Sequence, residues 1–259
     1  MSGSSAILEL RKVTVRFAGL VALDGVSLTA PQGRVTGVIG PNGAGKTTLF
    51  NVVCGFVRPR SGEVRWRGRA LGRHRPHDLT RLGIARTLQG LGLFPGLTVL
   101  ENVMVGADPH ARTGFWSGLL ALPRADRDEA ALRERALTRL DELGVAGEVA
   151  RLPGQLPYGV QKRVALARAL VAEPDLLLLD EPAAGLSAGE MDELAGLIRG
   201  LRGGPAVVLV EHHMDLVMNV CDQVVVLDFG KVIASGTPDE VRDDPAVLDA
   251  YLGEEVAGA

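Results

Sequence analysis

The residues Gly40-Pro41-Asn42-Gly43-Ala44-Gly45-Lys46-Thr47-Thr48 follow the spacing G-x-x-x-x-G-K-[ST], the pattern of a phosphate-binding loop. Glycines let backbone N–H groups turn inward around an anion, and the positive end of a following helix dipole points at it. A lysine at the position of Lys46 reaches the β- and γ-phosphates of a nucleotide, and the hydroxyl of Thr47 holds Mg²⁺. Further along, Leu176-Leu177-Leu178-Leu179 ends in two acids, Asp180-Glu181. An acid at the carboxyl end of a buried strand sits beside the ligand crevice of an α/β sheet. Asp180 is then placed to take part in the Mg²⁺ shell, and Glu181 to accept a proton from an attacking water. The competing reading is an acid pair that caps a helix before Pro182.

These residues need strands and helices to hold them. Val35 to Ile39 is an apolar run suited to a buried strand, and Leu49-Phe50-Asn51-Val52-Val53 suits a helix. Strand, glycine loop and helix follow in the order the motif requires. Ile7 to Phe17 alternates like a strand, Ala22 to Leu28 reads as another, and Gly62 to Trp66 as a third. The Arg- and His-rich stretch from Arg69 to Arg86 reads as solvated loop and helix surface. Asp126 to Leu143 is predicted helical, with Leu132, Ala136, Leu140 and Leu143 on one face and Gly144 as C-cap. Tyr158 to Ala172 is a second helix, with Val164, Ala167, Leu170 and Val171 on its apolar face. Asp175 to Asp180, Ala206 to Val210 and Val224 to Asp228 read as strands, Met191 to Leu201 and Asp215 to Val220 as helices. Gly230-Lys231 turns into a last strand, Val232 to Ala234. Alternating strands and helices predict a parallel α/β sheet.

Composition narrows the partners. The 259 residues suffice for one large domain or two small ones, and 46% are hydrophobic. A net charge of −3 gives no support to nucleic-acid binding by bulk charge. Two cysteines, Cys54 and Cys221, argue against a disulfide framework and for a reducing, cytosolic compartment. Met1-Ser2-Gly3-Ser4-Ser5 lacks the charged start and apolar centre of a signal peptide. No apolar run approaches the roughly 20 residues that span a bilayer, and Thr113 to Pro123 is too short. His74, His77 and His110 are scattered through polar stretches and share no metal role.

Together the motifs resemble the ATP-binding cassette (ABC) ATPases, the motor subunits of ABC transporters, over about residues 7 to 253. That resemblance implies a P-loop NTPase fold in one domain spanning 1–259. Its core of mostly parallel sheet with an N-terminal antiparallel β subdomain covers about 7–89 and 174–253, and a helical subdomain about 90–173. By position in the family pattern, Phe17 stands for an aromatic that stacks on adenine. Gln89 stands for a glutamine that contacts Mg²⁺ and the attacking water. His212 stands for a histidine that touches the γ-phosphate, and Gly185-Leu186-Ser187 for a loop at a dimer contact. Phe17 also reads as a plain strand aromatic, Gln89 as a surface glutamine, and His213 adjoins His212. Leu156-Pro157-Tyr158-Gly159-Val160-Gln161 stands at the family's signature motif, commonly L-S-G-G-Q. Here Pro157 replaces the serine and removes a backbone donor with the hydroxyl. Tyr158, Gly159, Val160 and Gln161 remain to meet the nucleotide of a second subunit.

Tyr158-Gly159, Gly19 to Leu23, Glu181 to Leu186, Glu211-His212, Gly236-Thr237-Pro238, Ala250 to Gly253 and the inserted stretch from about Asp108 to Asp126 resemble the ATPase of bacterial importers for branched-chain amino acids. Relatives of that subgroup import other small solutes. The resemblance implies ATP and Mg²⁺ as cofactors. Two such ATPases, a second copy or a homologous chain, would sandwich ATP on the cytoplasmic face of the inner membrane. They would drive transmembrane permease subunits fed by an extracytoplasmic solute-binding protein. The stretch from Leu91 to Leu97 would hold a permease helix, or its apolar residues Leu91, Leu93 and Phe94 would be plain core. A different class is a soluble ABC-type switch that dimerises on ATP in translation or DNA repair. The single cassette, without coiled-coil insertion or basic extension, speaks against it. A third reading, a regulatory binder crippled by Pro157, is opposed by the presence of Glu181 and His212.

Overall fold

Alternating burial organises the N-terminal segment. Strand β1 (Ala6–Phe17) buries Leu8, Leu10, Val13 and Val15, and pairs antiparallel with β2 (Leu20–Pro31). The next strand, β3 (Val35–Ile39), is buried at all five positions, as a strand covered on both faces must be. It runs through the glycine loop into helix α1 (Lys46–Val53), whose Leu49, Phe50, Val52 and Val53 are buried. Strand β4 (Ser61–Trp66) pairs antiparallel with β1, setting Val64 opposite Leu10 and Trp66 opposite Leu8, and β5 (Arg69–Ala70) closes on β4. These make one sheet of order β2-β1-β4-β5.

The computed structural model describes residues 6–87, 90–107 and 123–257. Contacts divide the chain into two compact units, Met1–Leu79 with Asp175–Ala259, and Thr80–Pro174. The second unit holds β6 (Ile84–Arg86), α2 (Val99–Gly106), α3 (Pro123–Glu142) and α4 (Tyr158–Leu170). Helix α2 starts at a capping box. Thr98 Oγ1 accepts from the N–H of Glu101 at 3.3 Å, and Glu101 Oε2 accepts from the N–H of Thr98 at 2.7 Å. The Thr98 hydroxyl, donating to Glu101 Oε2 at 2.7 Å, and after it the Thr98 N–H hold the Glu101 carboxyl below the usual carboxylate range. Asn102 is fully buried and shapes the preceding loop: it accepts from Phe94 N–H and donates to the carbonyls of Phe94, Leu97 and Thr98. Arg168 of α4 donates to the carbonyls of Gly92 and Leu91, and burial lowers its pKa.

The first unit resumes with β7 (Leu176–Asp180), α5 (Ala188–Gly200), β8 (Ala206–Val210), α6 (Met214–Val220), β9 (Gln223–Asp228), β10 (Lys231–Gly236), α7 (Pro238–Arg242) and α8 (Pro245–Ala257). Strands β7 and β8 are buried throughout. Within this unit the sheet order is β10-β9-β3-β8-β7. Strand β3 pairs parallel with β8 and β9, β7 parallel with β8, and only β10 runs antiparallel, against β9.

Three sequence expectations need correction. The stretch from Arg69 to Arg86 is not only loop and helix surface: it contains β5, a single helical turn at Pro76–Asp78 and β6. In it His74 is half-buried, with Nε2 2.8 Å from the carbonyl of Val53 at the end of α1. The strand placed at Ala22 to Leu28 extends from Leu20 to Pro31 because its whole length pairs with β1. Leu91, Leu93 and Phe94 are not core; Phe94 is 48% exposed, and Leu91 and Leu93 are half-buried.

Candidate functional site

Register brings the chemistry to one edge. In β3 Val38 lies beside Val210 of β8, and Val210 lies beside Asp180 of β7. The chain therefore leaves three adjacent strands at one level, into the glycine loop, into Glu181-Pro182 and into Glu211-His212. This is the carboxyl edge of a parallel sheet, where ligands of α/β folds bind.

The glycine loop has little freedom of sequence. Gly40 has φ +146°, and a Cβ there would stand 2.0 Å from the carbonyl oxygen of Leu227. Gly45 has φ +104° and its Cβ would meet Ala22 O at 2.5 Å. The loop is pinned from below: Ala44 accepts from Gly230 N–H at 3.0 Å, and Gly230 accepts from Asp24 N–H at 2.8 Å. Lys46 is buried and donates from Nζ to the carbonyls of Gly40 at 2.7 Å and Pro41 at 2.9 Å. Asn42, Gly43 and Thr47 are exposed at the mouth, with Pro41, Gly45 and Thr48 half-buried and Ala44 buried. The first-turn N–H groups of α1 have no intrahelical acceptor, and with the helix dipole they make an anion site.

Asp180 is buried at the end of β7. Glu181 donates its N–H to Val210 O at 2.9 Å and takes φ +47°, the left-handed region that non-glycine residues enter at a cost. Such strain is found where the surroundings impose it, most often at functional sites. His212 follows β8 with its side chain 51% exposed, and its ring lies 4.1 Å, centroid to centroid, from that of His213. The hydroxyl of Thr47 and the carboxylate of Asp180 are oxygen donors, which suit a hard divalent cation such as Mg²⁺, so the donor set fits that ion.

Phe17 closes β1 at the hairpin with β2, opposite Leu20, and is 46% exposed. Gln89 lies outside the described residues. Gly185 and Ser187 are exposed and Leu186 half-buried. Ser187 caps α5, its Oγ accepting from Glu190 N–H at 3.4 Å. In the second unit, Pro157 is the N-cap residue of α4, with φ −55° and no side-chain cap. Tyr158 is exposed and Lys162 Nζ lies 5.4 Å above its ring; Gly159 is buried and Val160 half-buried. Gln161 Nε2 turns back to Leu156 O at 2.9 Å.

One residue of the site escaped sequence reasoning. Glu211 is fully buried, and its carboxylate accepts from Ala183 N–H at 2.7 Å, His212 N–H at 2.9 Å and His213 N–H at 3.2 Å. A polar residue directly after an all-apolar strand was the signal available for it.

The chain matches the ABC transporter family over residues 23–184. Residues 231–257 match a family described as branched-chain amino acid ATP-binding cassette transporter. It is 42% identical over 253 residues to the high-affinity branched-chain amino acid transport ATP-binding protein BraF of Pseudomonas aeruginosa, covering 97% of this chain and 99% of that one. It is 41% identical, with the same coverage, to the corresponding LivG protein of Salmonella typhimurium. Among solved structures it resembles the ADP conformation of MJ1267, an ATP-binding cassette of an ABC transporter. The TM-score is 0.84 at 32% identity, over 96% of this chain and 99% of that one.

Proposed function

Because the chain belongs to the ABC transporter family, we propose that it is the ATP-hydrolysing subunit of an importer that takes up branched-chain amino acids. The observation that carries the solute class is end-to-end similarity to BraF over 97% of the chain, together with the C-terminal family match at residues 231–257. The fold supports the ATPase part of this reading, with the glycine loop leaving an inner strand of a parallel sheet whose three neighbouring strands end at one edge.

In this reading the backbone of residues 40–48 and Lys46 hold the triphosphate, and Phe17 stacks on the adenine. Mg²⁺, held by Thr47, Gln89 and Asp180, would supply charge neutralisation on the phosphates. Glu181 accepts a proton from the water that attacks the γ-phosphate in line, and His212 and Gln89 orient the reacting groups. Tyr158, Gly159, Val160 and Gln161 present the N-terminal end of α4 to the nucleotide of a second ATPase subunit, and Gly185, Leu186 and Ser187 line that contact. The chain is then one cassette with a core at about 7–89 and 174–253 and a helical part at 90–173. Closure of the pair drives permease subunits from the cytoplasmic face of the inner membrane, with the Leu91–Leu97 stretch receiving a permease helix. Among the described residues no helix is long and apolar enough to cross a membrane. A solute-binding protein outside the membrane supplies the amino acid.

The test is uptake of radiolabelled leucine, isoleucine and valine by cells lacking the chain, complemented with wild type or Glu181→Gln. Wild type restores uptake and the variant does not. Uptake that is unaffected by loss of the chain sinks the assignment of solute. Purified Glu181→Gln is expected to lose turnover and to form an ATP-held dimer in size exclusion with Mg-ATP.

A further inference from the structure

Glu211 touches each of the three segments that leave the carboxyl edge. Its N–H donates to Val38 O at 3.4 Å, at the end of the strand that feeds the glycine loop. Its Oε1 accepts from Ala183 N–H at 2.7 Å, two residues past Glu181. Its Oε2 accepts from His212 N–H at 2.9 Å and His213 N–H at 3.2 Å, and faces His213 Nδ1 at 2.9 Å. The side chain is wholly shielded from solvent.

The chemistry calls for a carboxylate. N–H groups from two loops converge on two oxygens, and a carboxylate offers two acceptors where an amide offers one. An amide in its place sets an NH₂ against a backbone N–H on one side. Burying an unmatched donor is costly, so one loop or the other must move. Oε2 only accepts, so the hydrogen it shares with His213 sits on Nδ1. His213, fixed by that bond, lies face-near to His212, ring centroids 4.1 Å apart at 37°.

We propose that Glu211 is a positioning residue for ATP hydrolysis, a clamp that fixes the Glu181–Ala183 turn against the His212 loop and, through His213, sets the ring of His212. This rests on the ATPase reading above. Glu211 does not touch substrate; it holds the spacing between the group that takes the proton and the group that meets the γ-phosphate. Catalytic groups displaced by about 1 Å lose on the order of a hundredfold in rate.

The test is ATP turnover by the assembled transporter carrying wild type, Glu211→Gln, His212→Ala or both. Glu211→Gln is expected to lower kcat at least tenfold while the KM for ATP stays within twofold. In the His212→Ala background the same change costs at least threefold less than in wild type, because the part of its effect that runs through His212 is gone while the hold on the Glu181–Ala183 turn remains. A merely structural carboxylate gives losses that multiply, and that result overturns the proposal, as does wild-type kcat for Glu211→Gln. Should Glu211→Gln fail to fold, His213→Phe keeps the ring face and removes the Nδ1–H bond. It is expected to lower kcat severalfold without adding to His212→Ala, and wild-type turnover by it overturns the clamp. No turnover by the wild-type transporter overturns the ATPase reading and the clamp with it, a result distinct from an active wild type beside an equally active variant.

Discussion

Lys46 donates from Nζ to the carbonyl oxygen of Gly40 at 2.7 Å, the residue that opens its own loop. With a second bond to Pro41 O at 2.9 Å, the ammonium is held at the loop's own carbonyls. A triphosphate offers charged oxygens, which form shorter and roughly twice stronger bonds. The ammonium therefore stands inside the loop whose backbone would receive the phosphates.

Lys46→Ala is therefore expected to weaken ATP binding at least tenfold and to remove turnover. Titration with a fluorescent ATP analogue and phosphate release read the two effects. Unchanged affinity would show that the loop backbone alone carries the phosphates.

Gly40 and Gly43 separate two reasons for a glycine. Both have positive φ, but a Cβ on Gly40 meets Leu227 O at 2.0 Å whereas one on Gly43 meets nothing within 4 Å. Gly43→Ala should cost about 1–2 kcal/mol from its left-handed backbone. Gly40→Ala should cost clearly more, since a backbone carbonyl must move. Equal melting temperatures for the two variants would contradict the geometry.

What was legible in the sequence follows from locality. The glycine loop and Leu176–Glu181 are contiguous, so a candidate chemistry for them can be read from spacing alone. Helix α2 was missed although Thr98-x-x-Glu101 carries its start signal, because only eight residues follow and their apolar run has no long period to read. Helix α7 hides behind the same device at Thr237 and Glu240. Glu211 was harder to read for a different reason: His213 is its near neighbour in the chain, but Ala183 leaves another strand, and the register of β7 on β8 is what brings it to the carboxylate.

Burial, and after it the neighbouring Asp222, pushes the Cys221 thiol up to about 12. The folded chain therefore keeps this thiol neutral well above its ordinary value near 9. Its contribution to stability is fully present below that ordinary value and is lost as pH rises through about 12. Iodoacetamide at pH 8.5 (roughly the ordinary thiol pKa) should leave Cys221 unmodified in the native chain and modify it in urea, as read by mass spectrometry. Rapid native alkylation would refute the burial.

Acid should weaken the start of α2. The bonds from Thr98 lower the Glu101 pKa, so the support they give is present above the ordinary carboxylate value near 4.5 and is lost as pH falls through the lowered one. Thr98→Ala should lower Tm by roughly 2–4 °C at pH 7, and by less in acid, where wild type has lost part of the cap. A deficit that grows on acidification would reverse the sign.

The order of strands has a consequence for synthesis. The strand that feeds the glycine loop, β3, pairs with β8 and β9, so its neighbours are translated roughly 170 residues after it, a long loop to close. The hairpin of β1 and β2 can pair as soon as it leaves the ribosome, whereas the nucleotide pocket must wait until nearly the whole chain has emerged. A nascent chain stalled before residue 206 should carry every residue of the glycine loop and still fail to retain ATP. For most of its birth this protein is a motor without an ignition.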